Sequence, residues 1–251
     1  SNKKAENAMR GLCGIPCLQV LINFCVACFS FFNELKNEKT LAEFDGEALW
    51  LTQPKHPHLN MGERQIPFTK TIYIDATDYE IEPPAGYKRL SPNNPEIRLR
   101  NSYILKVNEH KTDDAGNVIE LIATIDEHTL GNNPEGRKVK GVIHWVSATH
   151  GVTALVRLYD HLLLEEDEID ASLAQNALGA DADAFWINRH LNPNSLTVYQ
   201  AVVEPDLAKA AAGERFQFER ESYFIADSVE HTQSSPAFNQ IVSLKDSFKP
   251  E

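Results

Sequence analysis

The sequence predicts a mainly β protein, built as a sandwich or as barrels. Three observations carry this. Short runs of alternating apolar and polar residues recur from about residue 64 onward, turn residues separate several of them, and helical stretches are few. "RQIPFTKTIYID" (64–75) puts Ile66, Phe68, Ile72 and Ile74 on one parity, so one face of an extended chain meets a core. "EIRLRNSYILKV" (96–107) repeats the pattern as one strand. Ile97, Leu99, Tyr103, Leu105 and Val107 fall on one side, and Arg98, Arg100, Ser102 and Lys106 on the other. Two guanidiniums should then share a face, about 7 Å apart at roughly 3.3 Å per residue.

The remaining elements follow in order. "HKTDDAGNV" supplies a turn through Asp113, Asp114, Gly116 and Asn117, and "VIELIATI" (118–125) returns as the partner strand. Further strands are expected at "KVKGVIHWVS" (138–147), "VTALVRLYD" (152–160), "LTVYQAVVE" (196–204), "RFQFERESYFIAD" (215–227) and "FNQIVSLKD" (238–246). "PDLAKAAAG" (205–213) reads as a helix, with Pro205 in its first turn, an Ala run and Gly213 to end it. "DADAFWINRHL" (181–191) is a second candidate helix, before Asn192-Pro193.

The totals narrow the function classes. The chain has 251 residues, 42% hydrophobic and 24% charged, enough for one large domain or two smaller ones. A net charge of −12 argues against sequence-blind adhesion to nucleic acid, though not against one basic patch on an acidic body. "LLLEEDEID" (162–170) reads as a solvated acidic segment. Cys13, Cys17, Cys25 and Cys28 all lie near the beginning and the rest of the chain has none, which is no disulfide framework. Their surroundings are apolar and lack turn residues between close ligands, so buried free thiols are expected rather than a metal site. Leu12–Phe32 is uncharged and about the length of a membrane span, but Gly14, Pro16, Gln19, Asn23 and Ser30 interrupt it. A buried strand with a hydrophobic helix is the expectation there, with no membrane insertion.

Catalytic signatures are missing. There is no Gly-rich phosphate loop and no G-x-S-x-G elbow. The close pair His56/His58 has no third ligand at metal-site spacing. Basic and amide side chains on strands are present instead. Lys88 and Arg89 precede Arg98 and Arg100, and "FQFERESYF" (216–224) alternates Phe216 and Phe218 with Gln217 and Glu219, then Arg220. Arginine forks pair with base edges or phosphates, and amides read unstacked bases. Proteins read RNA sequence mostly in single-stranded loops. The residues alone therefore point to a β-rich binding module, with RNA as a candidate ligand.

A resemblance sharpens this. "RQIPFTKTIYID", "YKRL", "EIRLRN", "GRKVKGVIHWVSA", "RLYD" and "FQFERESYF" stand in the order and approximate spacing of the C-terminal half of glutaminyl-tRNA synthetases. The likeness runs from about Ala5 to about Phe248, and "GRKVKGVIHWVSA" (136–148) is its most specific piece. It implies two antiparallel β-barrels with a few short helices that bind the anticodon loop of glutamine tRNA. Residues 1–9 would be a tag or linker remnant. Residues 10–82 plus 193–248 would form the proximal barrel, with an insertion around 25–50, and 83–192 the distal barrel. By the same resemblance Arg98 and Arg100 hold the first anticodon base, a cytosine. Lys88 and Arg89 meet the third, a guanine. Gln217 meets the second, a uracil, with Glu219 and Arg220 alongside, and Arg10 in "ENAMRGL" shares that site. His58 takes the place of a loop residue at the third base. Glu96 and Asn101 are the neighbours expected to orient the two arginines.

The family's catalytic half carries HIGH-like and KMSKS-like ATP motifs, absent from these residues. This chain is thus expected to be non-catalytic and without cofactor, ATP and Mg belonging to the missing half of a glutamine-tRNA ligase. Missing targeting signals and unpaired-looking cysteines point to the cytoplasm, and a monomer that binds no DNA and no membrane is expected. The competing reading is a protein-interaction module of the same fold that docks a partner through the apolar N-terminal segment.

Overall fold

The computed structural model describes residues 23–25, 27–28, 32–37, 48–56, 58–164 and 190–244, with side chains from residue 48 onward. Arg10, Cys13, Cys17, the acidic run 165–170 and nearly all of the helix expected at 181–191 lie outside the described residues. Among those described, the protein is mainly β. The strands are β1 (Asn23–Cys25), β2 (Ala27–Cys28), β3 (Phe32–Asn37), β4 (Leu49–Pro54), β5 (Glu63–Phe68), β6 (Thr71–Asp75), β7 (Glu96–Leu99) and β8 (Ile104–Thr112). They continue as β9 (Val118–Asp126), β10 (Val142–Ile143), β11 (Val146–Ser147), β12 (Val152–Tyr159), β13 (Leu196–Val203), β14 (Arg215–Phe218), β15 (Ser222–Ala226) and β16 (Ala237–Ser243).

Two seven-stranded sheets and one hairpin result. The first sheet runs β10-β7-β8-β9-β3-β6-β11, the second β1-β14-β15-β16-β12-β13-β2, and β4 pairs with β5 alone. The first sheet's outer strands, β10 and β11, are separated by only His144 and Trp145. Two residues span at most about 10 Å, so the sheet must curl until its edges approach. The second sheet repeats the device, since only Val26 separates its outer strands β1 and β2.

Each sheet has its own core. Ile66, Phe68, Ile72 and Ile74 are all buried, as their parity predicts, together with Ile97, Leu99, Leu105, Leu121 and Trp145. The second core gathers Ala154, Val156, Ala201, Phe216, Phe218, Phe224 and Phe238. Phe218 stacks on Phe224 with ring centroids 4.4 Å apart. Each buried Phe contributes about 1.5–3 kcal/mol relative to exposure. These cores part between Ser147 and Val152, and the strands do not group by the expected division into 10–82 plus 193–248 and 83–192. β6 shares a sheet with β7, β8 and β9, and β12 pairs with β13 along its whole length. Strand pairing is a long-range choice that periodicity does not report.

Other expectations are corrected. Residues 96–107 are two strands, because Leu99–Tyr103 turns: Ser102 N donates to Leu99 O at 3.0 Å, and Asn101 has φ 55. Residues 215–227 are likewise two strands, broken at Glu219–Glu221 where Arg220 has φ 69. Residues 138–147 yield only β10 and β11. The helix expected at 205–213 is a single 3-10 segment, Pro205–Lys209, pinned by buried Leu207 and Ala208 and ended by extended Ala210. The turn at Asp113–Asn117 forms as expected, with Asn117 N donating to the Asp113 carboxylate at 2.8 Å. No helix among the described residues is long and apolar enough to cross a membrane.

Candidate nucleic-acid interface

The two unexpected turns carry Arg100 and Arg220. Asn101 and Arg220 are the only described non-glycine residues with positive φ. Such backbone is uncommon for non-glycine residues and strained for a bulky one, so it points to a constraint imposed from outside the turn.

Arg100 follows β7 in the first turn. Its N–H donates to Ile143 O at 2.8 Å, and its carbonyl accepts from Trp145 Nε1 at 3.0 Å. Phe68 holds Trp145 edge-on at 5.2 Å. The Arg100 guanidinium reaches across to the carboxylate of Glu219, in the turn of the second sheet. Arg98, on β7, is held differently. Its Nη1 donates to Ser102 O at 3.1 Å and Thr129 O at 2.9 Å, and its Nη2 to Asn132 O at 2.5 Å. Three neutral carbonyls thus fix the fork without cancelling its charge. The two arginines do not project from one strand, because Arg100 has already entered the turn. Glu96 pairs with Arg137 at 3.1 Å rather than orienting Arg98 or Arg100.

Arg220 forms a fork on Asp78, with Nη2 2.8 Å from Oδ1 and Nη1 3.2 Å from Oδ2. Burial works against its charge, but Asp78 and Asp75 outweigh that and hold its pKa above the ordinary arginine value. Asp78 lies in the 3-10 turn Ala76–Asp78 after β6 and is fully buried. Arg89 Nη1 stands 3.0 Å from the same Oδ1 and 3.3 Å from Thr77 O. Tyr87 donates to Thr77 O at 2.8 Å, and burial, then Asp78, pushes its phenol upward. Asp75 lies beside Arg220 at 3.8 Å and beside buried His144, whose Nε2 is 2.7 Å from Asp75 Oδ2 but out of line for a hydrogen bond. Burial, then Asp75, raises the pKa of Glu221.

Asp75, Asp78 and His144 present ligand atoms within 4.8 Å of one another, the one such group among the described residues. The donor set does not suit a cation, since the Asp78 oxygens already meet two guanidiniums. Lys88 is exposed, and Gln217 is half-buried on β14 opposite Tyr223. Neither side chain has a hydrogen-bond partner among the described residues. His58 is exposed, with its ring 6.1 Å from that of His56.

The stretch 136–148 buttresses this surface. Arg137 spans Glu96 and Asp126, His144 flanks Asp75, and Trp145 fixes the Arg100 carbonyl. Gly141 has φ 90, and a Cβ there would lie 2.8 Å from the Lys88 carbonyl. Sequence reading missed Asp75, Asp78, His144 and Glu221, since a lone carboxylate or histidine on a strand or turn carries no spacing signal. It gathered Lys88, Arg89, Arg98, Arg100, Glu219 and Arg220. Most are now linked hand to hand: Arg100 to Glu219, then Arg220 to Asp78, then Asp78 to Arg89.

Two family models, both described as tRNA synthetases class I (E and Q), anti-codon binding domain, match residues 34–126 and 142–227. The chain belongs to this family. The first match falls on the first sheet and the second mostly on the other, so together they cover the arginine-bearing turns of both. Similar curated proteins are named glutamine–tRNA ligase. One from Stutzerimonas stutzeri is 49% identical over 203 residues, covering 79% of this chain and 34% of the relative. Others from Ectopseudomonas mendocina and Neisseria meningitidis are 47% and 48% identical over 205 and 197 residues. The chain spans about a third of the length of the curated relatives it matches.

Proposed function

We propose that this anticodon-binding chain is the part of a glutamine-tRNA ligase that reads the anticodon of glutamine tRNA. The observation that carries the reading is the single polar surface where the β7–β8 turn meets the β14–β15 turn through Arg100 and Glu219, and the β14–β15 turn meets the Asp78 carboxylate through Arg220. Six of the basic and acidic residues singled out above stand on it or beside it. In this reading Arg98 and Arg100 hold the first base, a cytosine. Gln217, Glu219 and Arg220, with Arg10, hold the second, a uracil. Lys88 and Arg89 hold the third, a guanine. The scaffold is two β-barrels, a reading supported by the short links between the outer strands of each sheet. ATP and Mg are bound elsewhere in the ligase, and the protein acts as a cytoplasmic monomer.

Strands and tight turns supply what base reading needs, which is forks held at fixed positions before the ligand arrives. Titration with an anticodon stem-loop carrying CUG, against one with a changed middle base, tests the reading. Preferential binding of the CUG loop is expected. Equal binding of both would sink it, and no binding of either would favour a protein-docking module.

A further inference from the structure

The Asp78 carboxylate serves two guanidiniums that the anticodon reading assigns to different bases. Arg220 takes both oxygens, at 2.8 and 3.2 Å, and Arg89 takes Oδ1 again at 3.0 Å. The two arginines arrive from separate parts of the chain, Arg89 from the loop ahead of β7 and Arg220 from the β14–β15 turn. Asp78 itself is fully buried. A buried carboxylate cannot exchange a lost partner for water. When one guanidinium leaves, the attraction of Asp78 falls on the other and draws it inward.

We propose that Asp78 is a positioning residue that couples recognition of the second and third anticodon bases. This rests on the anticodon reading and deepens it. The energy of engaging either base then depends on where the other guanidinium stands, so a change at one arginine lowers discrimination at both positions. Asp75, 3.8 Å from Arg220, leaves a second carboxylate beside the cluster when one arginine turns outward.

Fluorescence titration of the whole chain with three hairpins tests this: one carrying CUG, one changed at the second base and one changed at the third. Wild type should favour CUG over each changed loop by roughly tenfold or more. Asp78→Asn should reduce both preferences by at least about threefold. A purely structural role would weaken all three RNAs by the same factor and leave both ratios intact, and that result overturns the coupling. Circular dichroism checks that Asp78→Asn is folded. If it is not, Arg89→Lys, Arg220→Lys and their double variant decide, because lysine keeps the charge but not the fork. Coupled sites give a double variant whose loss of CUG affinity departs from the product of the single losses by at least about threefold. A simple product overturns the coupling. Wild type binding all three hairpins equally overturns the anticodon reading and the coupling with it.

Discussion

Arg98, on β7, and Arg220, in the β14–β15 turn, belong to one surface and are held by opposite means. Arg98 rests on three backbone carbonyls, so its orientation is fixed while its full charge remains. Arg220 rests on a buried carboxylate, so its orientation is fixed and its charge is largely compensated. A guanidinium held by carbonyls attracts phosphates from a distance. One held by a carboxylate offers shape and donors at contact. An acidic protein can in this way present several arginines without becoming a general polyanion trap.

The largest effect that would break this comparison is on stability. Arg220→Ala leaves buried Asp78 with Arg89 alone and should cost roughly 3 kcal/mol in denaturant unfolding. Arg98→Ala breaks only bonds to neutral carbonyls and should cost about 1.5 kcal/mol. Equal costs would erase the distinction. Next comes binding. Arg98→Ala should weaken cognate stem-loop binding by ~1–3 kcal/mol in a filter assay, and Arg98→Lys should not restore it, since lysine cannot span three carbonyls as a planar fork. An unchanged affinity would remove Arg98 from the site.

Salt dependence sharpens the contrast further. Losing an uncompensated cation that meets a phosphate should lower the slope of log K against log salt by about 1. Arg98→Ala is expected to do so, and Arg220→Ala to change the slope less. The smallest effect is on pH. The Glu221 pKa is raised chiefly by burial, so folding favours its protonated form. That contribution is present at acid pH and is lost as pH rises above the ordinary carboxylate range. Glu221→Gln should therefore be better tolerated at pH 7 than at pH 4, and the stability difference should reverse or shrink between them. A difference that does not vary with pH would contradict the assignment.

Much of the fold was legible because alternation reports burial directly. Ile66, Phe68, Ile72 and Ile74 needed no partner to be identified as a core face. The Asp113–Asn117 turn was legible because Asp, Gly and Asn announce themselves. The turns at Arg100–Ser102 and Glu219–Glu221 were not read, since neither contains Gly or Pro and the apolar parity of the strand before each reappears beyond it, at Tyr103 and at Phe224. Their reversal is imposed by distant contacts: Ile143 and Trp145 on the first, Asp78 on the second. The basic residues were found through motif resemblance, and their pairing was not. Asp78 and Arg220 are 142 positions apart, and nothing local connects them.

The link between the two sheets has a practical consequence for grafting. Ala148–Gly151 looks like a loop, the usual place to insert a tag. Yet Ala148 N donates to Thr71 O, Gly151 N donates to Ser147 O, and His150 packs its ring edge-on against Trp50. A side chain at Gly151 would meet Val202 at 2.5 Å and the Ser147 carbonyl at 2.6 Å. Insertion scanning should therefore find a barrier at 148–151 and tolerance at Asp113–Asn117, where Gly116 faces open space. A reporter fused into that hairpin would leave both sheets in register, and one fused into the link would pry them apart.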